Sequence, residues 1–361
     1  EWYPDSGLDR FRAFNTTSLD QLARDLVAAG VSQIEGVVRG DGSRYDDEFY
    51  APGWGGGVAG LEAGPYDALL VNDSRVLGDD QRGADPNEAG AREFVRILSE
   101  QGVTVTGGSG TGVAAANLEE LASVDSLPLT DVIEEMLTNS DNNTAELLVK
   151  EIGLATAGVG SRQAGLDAIE ATVASWGIDT TGLEMGDGSG LSLDNRITCT
   201  TLLGVLQHVG SDSPVGQGLA IAGETGTLSD VFGDTPVAGR LRGKTGTLNN
   251  PPFNEDPPAV KALSGYLPVD GGGAITGFAV NSSGATGSAN PASLAQETTS
   301  GSGTGFTLTF GSDNVTATTI VAAVLPDTHG DPTRAANEAI ISLIPASIEK
   351  AVVAVNNQSD D

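Results

Sequence analysis

The segment Gly239–Leu248, which reads GRLRGKTGTL, decides how the rest of the chain is interpreted. It predicts a β-strand on which Lys244 and Gly246 share one face, because successive side chains point to opposite faces. Thr245 and Thr247 then share the other face. Gly246 lacks a side chain, so a ligand can approach the strand backbone closely. An ammonium group beside two hydroxyls suits a carboxylate ligand, whereas the alternative is an ordinary edge strand with a solvated lysine.

Lysine is scarce in this chain, which argues against the ordinary alternative for Lys244. The sequence has 18 basic residues against 49 acidic ones. The lysines among them are Lys150, Lys244, Lys261 and Lys350.

Two similar segments carry no such chemistry. Gly243-Lys244-Thr245 resembles the end of a phosphate-binding loop, but that loop needs a glycine where this chain has Ala238. The segment Glu224–Leu228 repeats Thr-Gly-Thr-Leu, but it has Glu224 in the position that corresponds to Lys244. A carboxylate there repels an anionic substrate.

A second polar motif, Ser140-Asp141-Asn142, lies in a short connection between two predicted helices, with Asn143 expected to cap the second one. Its hydroxyl can relay a proton, and its amide can hold a carbonyl or an ammonium group. The alternative is a plain cap or turn, since Ser, Asp and Asn are common in both. The same tripeptide at Ser312–Asn314 precedes a predicted strand, where a turn is the simpler interpretation.

Composition excludes several classes of function. The net charge of -31 argues against nucleic acid and anionic membrane surfaces as partners. The single cysteine, Cys199, excludes an internal disulfide and cysteine-rich metal sites. Two histidines, His208 and His329, make a histidine-ligated metal site or a Ser-His-Asp triad improbable. No apolar run is long enough to span a bilayer.

The chain of 361 residues is long enough for two or three domains, and its texture changes along the sequence. Residues 1–115 alternate short helices and strands, including one strand over Gln33–Arg39, and predict a small α+β domain. Residues 116–361 begin with helical patterns and continue with strands after residue 236. Within them, residues 282–305 are rich in small residues and predict a flexible insertion.

The two motifs together point to one family. Ser-Asp-Asn, Lys-Thr-Gly and Ser-x-x-Lys form the signature set of β-lactamases and penicillin-binding proteins. The chain resembles the D-alanyl-D-alanine carboxypeptidase/endopeptidase family of class C low-molecular-mass penicillin-binding proteins over roughly residues 18–281. Four further stretches carry the likeness: Leu22–Ser43, Tyr50–Trp54, Asp187–Arg196 and Gly239–Leu248.

The resemblance implies an α+β fold in two parts. Residues 116–361 would form a β-lactamase/transpeptidase-like domain, in which helices flank a five-stranded antiparallel sheet. Residues 1–115 would belong to a smaller α+β domain inserted between the first and second motifs.

The resemblance also implies the chemistry of the site. Ser140, Asn142 and Lys244 would be catalytic, while Thr245, Gly246 and Thr247 would bind the substrate carboxylate. The substrate would be a peptidoglycan stem peptide ending in D-Ala-D-Ala, cleaved through an acyl-enzyme outside the cytoplasm. β-Lactams would act as inhibitors, and no metal or organic cofactor is implied.

The chain departs from the family in its nucleophile motif. Ser-x-x-Lys occurs once, as Ser347–Lys350, after Lys-Thr-Gly and therefore in the wrong order. We interpret this copy as a chance match and expect the chain to be truncated at its N-terminus, without nucleophile or signal peptide. Two alternatives remain open: a β-lactamase or esterase of the same fold, and an inactive peptidoglycan-binding scaffold protein.

Overall fold

The computed structural model describes residues 14–79, 81–235, 237–248, 260–268, 275–283, 293–300, 303–309 and 319–325. The second Ser-Asp-Asn copy, Ser312–Asn314, and the chance match Ser347–Lys350 both lie outside these residues.

The first part of the chain packs two helices against two small parallel sheets. Its core consists of Ala23, Ile97, Leu98 and Val103, which are all buried. Strand β1 pairs with β3, and β2 pairs with β4. The elements are α1 (Leu19–Ala28), β1 (Gln33–Ile34), β2 (Val38–Gly40), α2 (Pro86–Glu100), β3 (Thr104–Val105) and β4 (Ser109–Thr111).

The single strand expected over Gln33–Arg39 is wrong, because β1 and β2 belong to different sheets. The chain bends between them at Gly36. There the neighbouring Gly107 approaches so closely that a Cβ atom on it would lie 2.4 Å from the Gly36 backbone. A glycine in a strand pattern often marks such a close approach of two backbones.

Residues 112–128 contain no helix or strand, and helices dominate the segment that follows. Side chains cap several of these helices. For example, the Ser161 hydroxyl accepts from the Ala164 N–H at the start of α5. The helices are α3 (Leu129–Asn139), α4 (Asn142–Ala157), α5 (Arg162–Ser175), α6 (Cys199–Val209) and α7 (Pro214–Gly218).

A five-stranded antiparallel sheet completes this part of the fold, with strand order β11-β8-β7-β6-β5. Lys244 on β6 lies opposite Ser264 on β7. The strands of this sheet are β5 (Ala220–Ile221), β6 (Arg242–Leu248), β7 (Val260–Pro268), β8 (Ile275–Ser283) and β11 (Thr319–Leu325).

The two faces of this sheet differ in what covers them. Tyr266, opposite Arg242 and therefore on the Lys244 face, donates a hydrogen bond of 2.7 Å to the Leu206 carbonyl of α6. The other face buries Leu241 and Leu263 in an apolar cluster with residues of the segment before β6. The antiparallel sheet and its helices confirm the α+β fold expected from the sequence.

Part of the segment for which composition predicts a flexible insertion forms strands instead. β9 (Ser293–Ser300) and β10 (Gly303–Thr309) pair antiparallel. Both contain several threonines, whose branched Cβ favours extended backbone. The abundance of small residues suggested flexibility, but this preference of threonine favours paired strands.

Candidate active site

The Ser-Asp-Asn motif forms the corner between α3 and α4. Ser140 ends α3 in the left-handed conformation, with φ 63° and ψ 50°, and its N–H donates to the Met136 carbonyl. Asp141 caps α4, because its Oδ1 accepts from the Thr144 N–H at 2.7 Å. The cap expected at Asn143 is therefore wrong. The left-handed turn at Ser140 starts the helix earlier and makes Asn142 its first residue.

The Lys-Thr-Gly strand brings its lysine to this corner. The Lys244 Nζ donates to the Ser140 hydroxyl at 2.5 Å and to the Thr245 carbonyl at 2.8 Å. Burial lowers the pKa of Lys244 to about 8, since desolvation disfavours the ammonium form. The two motifs thus converge on one site, as the family resemblance implies.

Strand β6 is open along the edge next to this site. Strand β5 pairs only with Arg242 and Gly243, and no other described strand pairs with β6 on that side. Lys244 and the residues after it therefore form a strand edge that an extended peptide can approach. The alternation along β6 places the hydroxyls of Thr245 and Thr247 on the face opposite Lys244. Thr247 is exposed.

A loop from the first part of the chain holds Asn142. Its Nδ2 donates to the Glu62 carbonyl at 3.1 Å, so the amide nitrogen is engaged by backbone from outside the helical region. This contact uses one of the two N–H donors of Nδ2, and the amide oxygen can still accept from a substrate.

One face of α4 presents buried polar side chains to the rest of the molecule. Asn143, Glu146 and Lys150 have relative exposures of 4%, 0% and 0%. Glu146 Oε1 accepts from the N–H groups of Gly188 and Ser189, in the stretch Asp187–Arg196 that carries part of the family likeness. The local sequence predicts no distant contact for this face. The scarcity of lysine is the one signal that Lys150 could have a specific partner.

Lys150 joins α4 to the first part of the chain. Its Nζ forms an ion pair with Asp46 Oδ1 at 2.8 Å and donates to the carbonyls of Asp46 and Glu48 at 3.1 and 2.8 Å. Three oxygen acceptors satisfy the three donors of the ammonium group. A fully buried charge is tolerated only when it is paired and hydrogen-bonded in this way.

Three carboxyl groups, those of Asp73, Glu135 and Asp141, lie around the corner at Ser140. Burial, and after it the charge of Asp73, raises the pKa of Asp141 to about 6. Burial raises the pKa of Glu135 to about 7, although a hydrogen bond from Asn139 Nδ2 at 2.7 Å opposes the shift. The carboxyl groups of Asp141 and Glu135 therefore take up protons near neutral pH.

A cavity of about 630 Å³ adjoins the site on the Lys244 face of the sheet. Thr138 and Asn139, just before Ser140, line one side, and Arg242 lines another. Gly226, in the repeated Thr-Gly-Thr-Leu segment, contributes a third wall. This segment therefore helps to shape the surroundings of the site rather than duplicating the Lys244 strand.

The sequence of this chain matches a known protein family over the region that contains both motifs. The sequence profile of the D-Ala-D-Ala carboxypeptidase 3 (S13) family matches residues 69–299, more than half of the chain. The chain belongs to this family. The match includes both Ser140–Asn142 and the Lys244 strand, the two segments that meet in the structure.

Individual relatives agree with this family. A D-alanyl-D-alanine carboxypeptidase of Actinomadura sp. (strain R39) is 35% identical over 216 residues, 56% of this chain and 37% of the relative. A carboxypeptidase of Mycobacterium tuberculosis is 33% identical over 276 residues, 72% of this chain and 56% of the relative. The chain thus spans less than two thirds of the length of each of these relatives.

A solved structure has the same fold. Penicillin binding protein 4 of Haemophilus influenzae superimposes with a TM-score of 0.56 at 20% identity, over 70% of each chain. This likeness supports the transpeptidase-like α+β fold.

The described residues lack two other kinds of feature. They contain no helix that is long and apolar enough to cross a membrane. They also contain no group of three or more His, Cys, Asp or Glu residues placed to hold a metal ion.

Proposed function

We propose that this chain forms the proton-relay and carboxylate-binding parts of a serine-type D-Ala-D-Ala carboxypeptidase/endopeptidase site. The observation that carries the proposal is the 2.5 Å contact between Lys244 Nζ and Ser140 Oγ. Membership of the S13 family supports it. The substrate is a peptidoglycan stem peptide ending in D-Ala-D-Ala, which places the reaction outside the cytoplasm.

The reaction is acyl transfer to a serine. The serine of a Ser-x-x-Lys motif outside this sequence attacks the peptide bond between the two D-Ala residues, and the terminal D-Ala leaves. Water then hydrolyses the acyl-enzyme. Ser140 passes a proton towards the leaving nitrogen, a transfer that needs donor and acceptor within hydrogen-bond reach.

The remaining residues hold the substrate. The amide oxygen of Asn142 accepts from the acyl-side amide of the substrate and orients the lysine of the nucleophile motif. The positive potential of Lys244 stabilises the terminal carboxylate and helps to keep that second lysine deprotonated. The hydroxyls of Thr245 and Thr247 bind the carboxylate at the open edge of β6, where side chains from both faces of the strand can reach it, and Gly246 lets the substrate approach the strand. The Thr247 N–H is one donor to the oxyanion.

We also propose the division of the chain near residue 115, into an inserted accessory unit (residues 1–115) and the transpeptidase-like domain that follows. The change from small parallel sheets to helices and one antiparallel sheet, on either side of residues 112–128, supports this division.

The test compares this chain with the full product of its natural gene after incubation with fluorescent penicillin, using mass spectrometry of the intact proteins. We expect no covalent adduct on the 361-residue chain and a stoichiometric adduct on the natural product, at the serine of a Ser-x-x-Lys motif. Release of D-Ala from a pentapeptide then measures carboxypeptidase activity. An adduct on Ser140 or Ser347 of the short chain would overturn the assignment of roles.

Two other results would favour the alternative functions. Rapid turnover of a chromogenic cephalosporin without release of D-Ala would indicate a β-lactamase of this fold. A natural gene product without Ser-x-x-Lys that still binds purified peptidoglycan would indicate a scaffold protein.

A further inference from the structure

A short turn of the accessory unit has an unusual backbone. Asn72, Asp73 and Ser74 have φ angles of 48°, 54° and 62°, and none of them is glycine. Positive φ is uncommon outside glycine, although Asn and Asp tolerate it better than most residues. Three such residues in succession store strain that the surrounding structure has to hold. The contacts of their side chains therefore indicate what this turn does.

Asp73 reaches from this turn to the beginning of α4. Its Oδ1 accepts from Asn143 Nδ2 at 2.6 Å, and its Oδ2 lies 3.8 Å from the guanidinium of Arg82. Both charged side chains are largely buried, with relative exposures of 12% for Asp73 and 7% for Arg82. A hydrogen bond to a buried charged group is stronger than one between neutral groups.

Asn143 is held from its other end as well. Its Oδ1 accepts from the Gly64 N–H at 2.8 Å, while Arg82 donates to the Gly64 carbonyl at 2.6 Å. The neighbouring Asn142 donates to the Glu62 carbonyl. The first turn of α4, which begins two residues after Ser140, is therefore held by hydrogen bonds to Asp73 and to the backbone of residues 61–64, which Arg82 contacts in turn.

We propose that Asp73 is a positioning residue for the Ser140 corner, acting through Asn143. The inference rests on the proposed function, in which Ser140 must stay within hydrogen-bond reach of Lys244 and the leaving group. The carboxylate of Asp73 fixes the Asn143 side chain, and Asn143 fixes the start of α4. Loss of this contact lets the corner move, and small misplacements of reacting groups slow a reaction strongly.

Two variants of the natural gene product separate the effect of the Asp73 carboxylate from the effect of its side-chain volume and backbone conformation. Asp73→Gly relieves the positive φ but removes the acceptor for Asn143. Asp73→Asn is the matched control, because it keeps an oxygen acceptor and tolerates the same φ.

The first measurement is penicillin acylation followed over time at several drug concentrations. We expect the acylation rate constant at saturating drug concentration to fall about 10- to 100-fold in Asp73→Gly. The drug concentration that gives half of this rate should stay unchanged. Asp73→Asn should recover most of the rate. A purely structural role would instead lower the fraction of molecules that become labelled, with an unchanged rate constant in the remainder, and would overturn the proposal.

The second measurement does not depend on activity and uses the 361-residue chain. Hydrogen exchange of the backbone amides of residues 140–144 should be at least about tenfold faster in Asp73→Gly than in Asp73→Asn. Equal exchange in the two variants would overturn the positioning role.

The two measurements also separate this inference from the proposed function. A natural gene product that is never acylated overturns the proposed function, and the exchange result alone then decides whether Asp73 holds the corner. An acylated wild type with an equally fast Asp73→Gly overturns the positioning role and leaves the proposed function intact.

Discussion

The ammonium nitrogen of Lys244 and the hydroxyl of Ser140 are hydrogen-bonded across a separation of 104 residues in sequence. The strand that carries Lys244 and the helix corner that carries Ser140 meet only because α3 and the sheet pack together. The contact polarises the hydroxyl and places a positive charge beside the open edge of β6.

Lys244→Ala is expected to slow acylation of the natural gene product much more than Arg242→Ala. Arg242 lies two residues upstream on the same strand face, but its guanidinium is engaged with the Gln217 carbonyl at 2.8 Å. Loss of a charge-assisted contact to a carboxylate typically costs about 1.5–3 kcal/mol, or roughly 10- to 150-fold in rate. The measurement is the second-order acylation rate. Equal effects of the two substitutions would contradict the assignment of Lys244 as the carboxylate-site cation.

Added salt should leave the wild-type acylation rate unchanged or raise it. The chain carries a net charge of -31, so the long-range field repels an anionic substrate. Salt screens this field over about 10 Å, while a partly buried contact at Lys244 is screened less. The rate is measured at several ionic strengths, and a steep decrease with salt would speak against this local site.

The acylation rate should decline as the pH rises through about 8. The pKa of Lys244 is lowered to about 8, so its positive charge is present below that pH and is lost above it. Lys244→Arg keeps the charge at all these pH values and should abolish the decline, even if the altered geometry lowers the rate. A decline that persists unchanged in Lys244→Arg would assign it to another group.

The chain should become less stable as the pH rises from about 4.5 to 7, in part because of Glu135. The pKa of Glu135 is raised to about 7, so the folded state binds its proton more tightly than the unfolded state does. The stability from this proton is complete below pH 4.5 and is lost as the pH rises through 7. Glu135→Gln should remove roughly 1 kcal/mol of this pH dependence, after allowance for partial solvation.

The measurement for Glu135 is chemical unfolding at pH 5 and at pH 7.5. Glu134→Gln is the matched control, because Glu134 is the adjacent residue and is exposed. The same change of slope in both variants would show that the effect is not specific to the buried carboxyl.

Gly226→Ala should destabilise the protein more than Gly182→Ala. Both glycines have positive φ, +49° and +79°, so both substitutions strain the backbone. A Cβ at Gly226, however, would lie 1.9 Å from the Thr138 carbonyl oxygen in the last turn of α3, whereas Gly182 faces open space. We expect a difference of about 1–3 kcal/mol in the free energy of unfolding. Equal losses would mean that this close approach does not constrain α3.

Local patterns in the sequence were sufficient for most of the elements near the site. The strand around Lys244 is where the sequence predicts it, because side-chain alternation depends on neighbouring residues. The family resemblance carried by the two motifs was sufficient to predict that Ser140 and Lys244 lie in one site.

Contacts that depend on distant partners could not be predicted. The acceptors of Lys150 lie 102 to 104 residues away in sequence, and Asp73 lies 70 residues from Asn143. Nothing in the local pattern distinguishes these residues from solvated polar groups on a helix. The cap at Asp141 was missed for a related reason, because the left-handed turn at Ser140 depends on how α3 packs.

The buried polar face of α4 also bears on how this sequence can diverge. A change at Asn143, Glu146 or Lys150, which are all buried, leaves a distant partner without its hydrogen bond. Compensation then requires a second change in the accessory unit or in the Asp187–Arg196 stretch. Substitutions along this face should therefore be inherited in pairs, and an accessory unit transplanted from a distant relative should fit only together with its own version of α4.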